Sequence, residues 1–137
     1  MKKNPEEALR WLETAKDDLD AAQIMLQNNK FSHACFHSQQ SAEKVIKAVH
    51  FFCNSDPWGH SIVKLISELE ELAPSQFALL SKFNNRARLL DRFYIPTRYP
   101  DGLPDITPRE AFGLEEAESA IEAASLFLEI GKNIIQE

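Results

Sequence analysis

The sequence predicts an all-α fold, an up-and-down antiparallel four-helix bundle with an additional short helix, on three observations. Apolar residues recur at alternating spacings of four and three along most of the chain, which is the seam of a packed helix. No segment carries the two-residue period of a strand. Glycine is scarce, with 4 residues in 137, which disfavours a turn-rich β fold. One domain, residues 1–137, accounts for a chain of this length.

The first helix is predicted over Pro5–Gln27. Asn4 is a good N-cap, Pro5 suits the first position, and Glu6 and Glu7 complement the helix dipole. Its stripe is Ala8, Leu12, Ala15, Leu19, Ala22 and Leu26, and Asn28-Asn29 closes it because asparagine tolerates the left-handed conformation. The second helix runs from Phe31 or Ser32 to Cys53, with Phe31, Cys35, Ala42, Ile46, Val49 and Cys53 on one face. Its opposite side carries a second stripe, Phe36, Gln40, Glu43, Lys47 and Phe51. Two phenylalanines there imply a cover on both sides, either a short segment of the same chain or a second subunit, and a homodimer interface is expected on this stripe.

Asn54 to Gly59 reads as a loop, followed by a short helix over Ser61–Leu72. Pro74 stops that helix, and a fourth spans Ser75–Tyr94 with Leu79, Leu80, Phe83, Ala87, Leu90 and Tyr94 facing inward. Residues 96–105 hold three prolines and read as an irregular loop. Thr107-Pro108-Arg109-Glu110 is a capping box that opens the last helix, which reaches Ile135 with a break at Gly113. Its stripe is Ala117, Ile121, Ala124, Leu128, Gly131 and Ile135.

Composition bounds the function. The net charge is −6 and the pI about 5.2, which disfavours strong nonspecific coating of nucleic acid. The four glycines are dispersed, so no glycine-rich phosphate loop exists. The polar N-terminal residues carry no signal-peptide pattern and no apolar run has membrane-spanning length, so a cytoplasmic protein without a membrane partner is expected. Cys35 and Cys53 lie on one predicted helix about 27 Å apart, too far for a disulfide, and read as core residues.

Catalytic patterns are few. His33 and His37 have the i, i+4 spacing of metal ligands but no third ligand is placed by a motif, so neither a metal nor another cofactor is expected. His50 has no visible partner, and no serine sits in a nucleophile elbow. The clearest signal is electrostatic: residues 82–98 set Lys82, Arg86, Arg88, Arg92 and Arg98 against the single acid Asp91. Arginine suits phosphate and the neighbouring Tyr99 suits a base. The alternative is a solvated basic face that pairs with acidic helices.

Four segments resemble HEPN domains (higher eukaryotes and prokaryotes nucleotide-binding). Gln40-Ser41-Ala42-Glu43-Lys44-Val45-Ile46-Lys47-Ala48 is similar to the family's Q-x-A-E-K-x-x-K-A signature. Trp11-Leu12 through Asp18-Leu19 resembles its opening helix, His60 with Leu65 its short helix, and Arg98-Tyr99-Pro100-Asp101 the loop before its last helix. The resemblance covers nearly the whole chain. It implies a homodimeric bundle that holds a nucleotide or acts with a separately encoded minimal nucleotidyltransferase in a toxin–antitoxin-like unit. Many family members are metal-independent ribonucleases that use an arginine followed four to six residues later by histidine. Here no histidine follows His60, so that pattern is absent. The expected function is therefore noncatalytic nucleotide or partner binding, with a ribonuclease toxin of nonstandard site as the alternative. A phosphate or nucleotide site is expected around Arg98, Tyr99 and Asp101, with Arg92, Lys44 and His60 as further candidates. Arg98 would contact phosphate, Tyr99 would stack, and Asp101 would orient Arg98 or accept from a sugar hydroxyl. The structural alternative pairs Arg98 with Asp101 or with neighbouring helices and uses Tyr99 to plug the bundle end.

Overall fold

The computed structural model describes residues 4–136. Helix α1, Pro5–Gln27, is capped by the Asn4 side chain, which accepts from the Glu7 N–H. It turns at Asn29, whose φ of 60° is the left-handed conformation that ends the helix. Helix α2, Phe31–Phe52, returns antiparallel to α1, and the Asn4 N–H meets the Phe52 carbonyl where the two ends close. The Ser41 hydroxyl donates to the Ala15 carbonyl at 2.7 Å, a buried cross-link between the two helices. α2 is the centre of the bundle and packs against both α1 and α8, Leu114–Ile135.

The region between them departs from the predicted continuous helices. The short helix is α3, Ile62–Ser67, followed by one further turn, α4, Leu69–Leu72. The predicted fourth helix is broken into α5, Pro74–Ser81, and α6, Asn84–Asp91. Phe83 leaves helical geometry at the break, with φ −111° and ψ 25°, and is followed by two asparagines, which are weak helix formers. The break shifts the phase of the apolar stripe. Leu80, Ala87 and Leu90 stay buried, whereas Leu79 is 47% exposed rather than inward.

Asp91 explains where α6 ends up. Its carboxylate accepts from the Ile62 N–H at 2.7 Å, the Val63 N–H at 3.2 Å and the Ser61 hydroxyl at 2.8 Å. An acid on α6 thus caps the N-terminus of α3. Residues 96–105 are more ordered than an irregular loop: Thr97 is buried and donates to the Phe93 carbonyl, and Pro100–Gly102 form a 3₁₀ turn. Thr107 and Glu110 make the predicted capping box on α7, Pro108–Ala111, and Gly113 separates α7 from α8.

The core is one cluster that runs through all the bundle helices, with Leu12, Val45, Ile46, Leu65, Leu90 and Phe127 among its members. Gly131 marks the closest approach in it. A Cβ there would lie 2.5 Å from Val45 Cγ1 and 3.5 Å from Leu12 Cδ1, so glycine lets α8 settle between α1 and α2. His50, which has no visible partner in the sequence, is a core residue 2% exposed, with Nε2 2.7 Å from the Leu65 carbonyl and Nδ1 3.2 Å from the Ser55 hydroxyl. Cys35 and Cys53 are buried, and burial, reinforced by Glu116, pushes the Cys35 thiol up to about 12. Among the described residues no helix is long and apolar enough to cross a membrane.

Candidate functional site

The second stripe of α2 is the floor of the site. Its residues recur every three or four positions, so they stack along one side of the helix. Glu43 sits at its centre, 3% exposed. A buried carboxylate needs donors around it, and three converge: Gln39 Nε2 at 3.2 Å, Lys47 Nζ at 3.0 Å and His60 Nδ1 at 3.3 Å. Gln39 also donates to the His60 carbonyl at 3.2 Å and receives Gln40 Nε2 at 2.8 Å, which fixes the loop before α3 onto α2.

Two aromatic groups flank this polar centre. Towards the C-terminal end of α2, Phe51 stacks on Trp11 of α1 with ring centroids 5.3 Å apart, and the Lys47 ammonium lies 5.8 Å from the Trp11 ring. Towards the other end, His60 stacks on Tyr94 at 4.6 Å and 17°. The same Tyr94 ring carries the Arg98 guanidinium at 4.7 Å. Arg98 also lies 4.5 Å from the Phe36 ring and 5.2 Å from the Tyr99 ring. Three rings thus surround one cation. Arg98 Nε donates to the Tyr94 carbonyl at 3.0 Å, and this is its sole hydrogen bond among the described residues. It forms no ion pair there, so its terminal nitrogens remain available to an anion.

The structure therefore brings together Arg98, Tyr99 and His60, and joins to them the Phe36–Phe51 stripe of α2. It does not bring Asp101 to Arg98. Asp101 is exposed on the 3₁₀ turn, and among the described residues no ion pair joins the two. Arg92 lies at the end of α6 without a side-chain partner among the described residues. Lys44 is taken by Asp18 at 2.5 Å, an ion pair between α2 and α1. The basic run divides likewise. Arg86 reaches Glu122 of α8 at 3.7 Å and Arg88 bonds Asn85, so Arg98 alone of the run enters the aromatic cluster. His33 and His37 lie beyond it on α2, and no group of three metal-ligating side chains occurs among the described residues.

Three members of the site are not marked as such by the sequence. The spacing places Tyr94 on an inward stripe, yet it is half-buried and bridges His60 to Arg98. Gln39 and Trp11 belong to no candidate site in the sequence reading. The i, i+4 ladder Gln39, Glu43, Lys47 is the available signal, since it puts a donor on each side of one acid.

A family model for the HEPN domain matches residues 8–134. The crystal structure of TT1696 from Thermus thermophilus is similar, with 35% sequence identity and a TM-score of 0.84 over 92% of this chain and 96% of that one. ST0689, described as an archaeal HEPN homologue, has 30% identity and a TM-score of 0.75 over 98% of this chain and 99% of its own. A Methanocaldococcus jannaschii protein named "Putative toxin MJ1304" is 26% identical over 134 residues, 93% of this chain and 87% of that protein. On this match, and on an all-helical bundle shared with solved homologues, the chain belongs to the HEPN domain family.

Proposed function

We propose that the chain is a noncatalytic phosphate- and nucleotide-binding HEPN protein whose ligand seats on Arg98. One observation carries this reading: a guanidinium held among Phe36, Tyr94 and Tyr99 with no carboxylate to neutralise it among the described residues. An arginine in such a cage is preorganised, so little entropy is lost when it grips a phosphate. Tyr99, 52% exposed, is free to stack on a base beside it. In this reading the protein is a homodimer that serves a separately encoded nucleotidyltransferase. Calorimetric titration with ATP, GTP and their diphosphates tests the site. Arg98→Ala is expected to abolish binding while the melting temperature moves by less than about 2 °C. No binding at millimolar nucleotide, with a large drop in melting temperature for Arg98→Ala, would leave Arg98 a purely structural role.

A second reading, metal-independent RNA cleavage, is favoured by a specific contact. His60 does not follow Arg98 in sequence, but it reaches the same Tyr94 ring and its Nδ1 faces the buried Glu43. A carboxylate on Nδ1 orients an imidazole for acid–base work at Nε2. The similar M. jannaschii protein is named a toxin, which agrees with this alternative. Labelled RNA incubated with the chain in chelator separates the two: intact RNA supports binding alone, whereas cleavage that both His60→Ala and Arg98→Ala abolish supports catalysis.

A further inference from the structure

His60 is exposed and yet held in place. Its side chain, at the end of the loop before α3, is 56% exposed. Its backbone carbonyl accepts from Gln39 Nε2 at 3.2 Å, its Nδ1 lies 3.3 Å from Glu43 Oε2, and its ring is stacked on Tyr94. The next residue, Ser61, is tied to Asp91 at 2.8 Å. An exposed side chain ordinarily keeps its rotamer freedom, and here that freedom is already removed. Glu43 also fixes the tautomer. A carboxylate paired with Lys47 at 3.0 Å only accepts, so Nδ1 donates and the lone pair of the neutral ring lies on Nε2. Nε2 itself has no partner among the described residues. The other histidines lack this arrangement. His50 is buried with both ring nitrogens engaged. His37 is half-buried against the Phe36 ring. His33 is exposed and has no hydrogen bond or ion pair among the described residues.

A neutral imidazole with one nitrogen fixed and the other open is a nucleophile, and its surroundings select the electrophile. Arg98 rests on the same Tyr94 ring as His60. Its guanidinium carbon is therefore no farther from the imidazole centre than the 4.6 Å and 4.7 Å separations taken together. Its terminal nitrogens meet no carboxylate among the described residues. A fork of unpaired donors suits a group that carries negative oxygens. We infer that His60 Nε2 is a phosphoryl-acceptor site, loaded from an acyl phosphate while Arg98 holds the phosphoryl oxygens. This rests on the reading of Arg98 as a phosphate ligand and goes beyond it, from binding to a covalent step. In that step the Nε2 lone pair forms a bond to phosphorus. The bond from phosphorus to the acyl oxygen breaks, and a carboxylate leaves with its electron pair. No proton is transferred. The ring becomes an imidazolium whose Nδ1 proton stays on Glu43, so Glu43 is a positioning residue that also faces the new positive charge. The N–P bond has a high transfer potential of its own, which is why the donor is an acyl phosphate and not a phosphate ester.

The test uses the full chain labelled with ¹⁵N, acetyl phosphate as the donor, and ³¹P resonance with intact mass as readouts. One phosphoryl group is expected, on Nε2 of His60, labile to acid and stable to alkali as an N–P bond is. His33, exposed without a carboxylate, is the internal comparison and should label at least about tenfold more slowly, because neither its ring nor its tautomer is fixed. His60→Gln should abolish the fast label. Arg98→Gln should slow it at least about tenfold, the loss of one charge-assisted hydrogen bond, and leave His33 unaffected. Glu43→Gln, if circular dichroism finds it folded, should release the tautomer. Ring ¹⁵N shifts then report a mixture and the phosphoryl group appears on both nitrogens. If that variant does not fold, the choice of nitrogen in the wild-type ring carries the same test. Equal labelling of His60 and His33, attachment to Nδ1 of His60, or an acid-stable adduct on a hydroxyl would overturn the acceptor site. His60 labelling at the wild-type rate in Arg98→Gln would overturn the part given to Arg98, and the phosphate reading of Arg98 with it. Failure of the acceptor site alone shows separately, as ATP binding that needs Arg98 in a chain whose His60 takes no label.

Discussion

Glu43 Oε2 and His60 Nδ1 lie 3.3 Å apart, an acid from the middle of α2 against a histidine from the loop before α3. The carboxylate is buried and the imidazole more than half exposed, so the contact fixes one ring nitrogen of a side chain that otherwise reaches solvent. Lys47 shares the same oxygen at 3.0 Å with its side chain only 12% exposed. The interior of the site is therefore an ion pair with a histidine at its edge.

Removing Glu43 strands a charge. Glu43→Ala leaves the Lys47 ammonium without its anion, and breaking a buried pair by deleting one partner costs about 3–5 kcal/mol. Chemical denaturation should show that loss. Adding Lys47→Met should restore much of it, because the cost lies in the orphaned ammonium. A Glu43→Ala chain as stable as wild type would mean that Lys47 escapes to water without penalty.

Gly131→Ala tests the helix crossing. The new methyl would meet Val45 Cγ1 at 2.5 Å in a buried place. Overpacking costs about 1–3 kcal/mol, against a gain of about 1 kcal/mol in helix propensity. The expected result is a melting temperature several degrees lower. In a double-mutant cycle, Val45→Ala should offset part of the loss.

Acid should act through His37. Burial holds its pKa below the usual value, and His33 and Lys44 push it the same way, while Asp18 pulls it up. The folded chain therefore binds this proton less readily than the unfolded chain. The stabilisation is present above the ordinary histidine pKa of about 6.5 and is lost as pH falls through the lower folded value. Urea midpoints at pH 7.5 and pH 5 should fall less in His37→Gln than in wild type; an equal fall would show that other groups carry the acid sensitivity.

The α2 stripe is expected to bear a second copy of the chain as well as the site. Phe36 and Phe51 are half-buried within one chain, each resting on an intrachain partner and leaving an edge outward. Light scattering should find a dimer that Phe51→Asp dissociates. A wild-type monomer at high concentration would confine these rings to their contacts with Arg98 and Trp11.

Local chemistry determined most of the fold. Asn4, Asn29, Thr107 with Glu110, and Gly113 act on the few residues beside them, so the bounds of α1, α2 and α8 follow from sequence alone. The 4-3 stripes then fix which faces are buried, because helical phase is set by spacing. Phase reasoning failed where long-range contacts compete with it. The use of Asp91 as a cap for α3 depends on a helix 28 to 30 residues away in sequence. The site is of that second kind. Arg98, His60 and the α2 stripe were all legible as residues, but they become one surface only because Tyr94, just past the end of α6, is stacked under His60 and beside Arg98. The partition of the cations was decided by tertiary structure too. Which cation meets a carboxylate on another helix is a matter of neighbours across the bundle: Asp18 of α1 takes Lys44 and Glu122 of α8 meets Arg86, while Arg98 lies among aromatic rings and Glu43–Lys47 stays a local i, i+4 pair within α2.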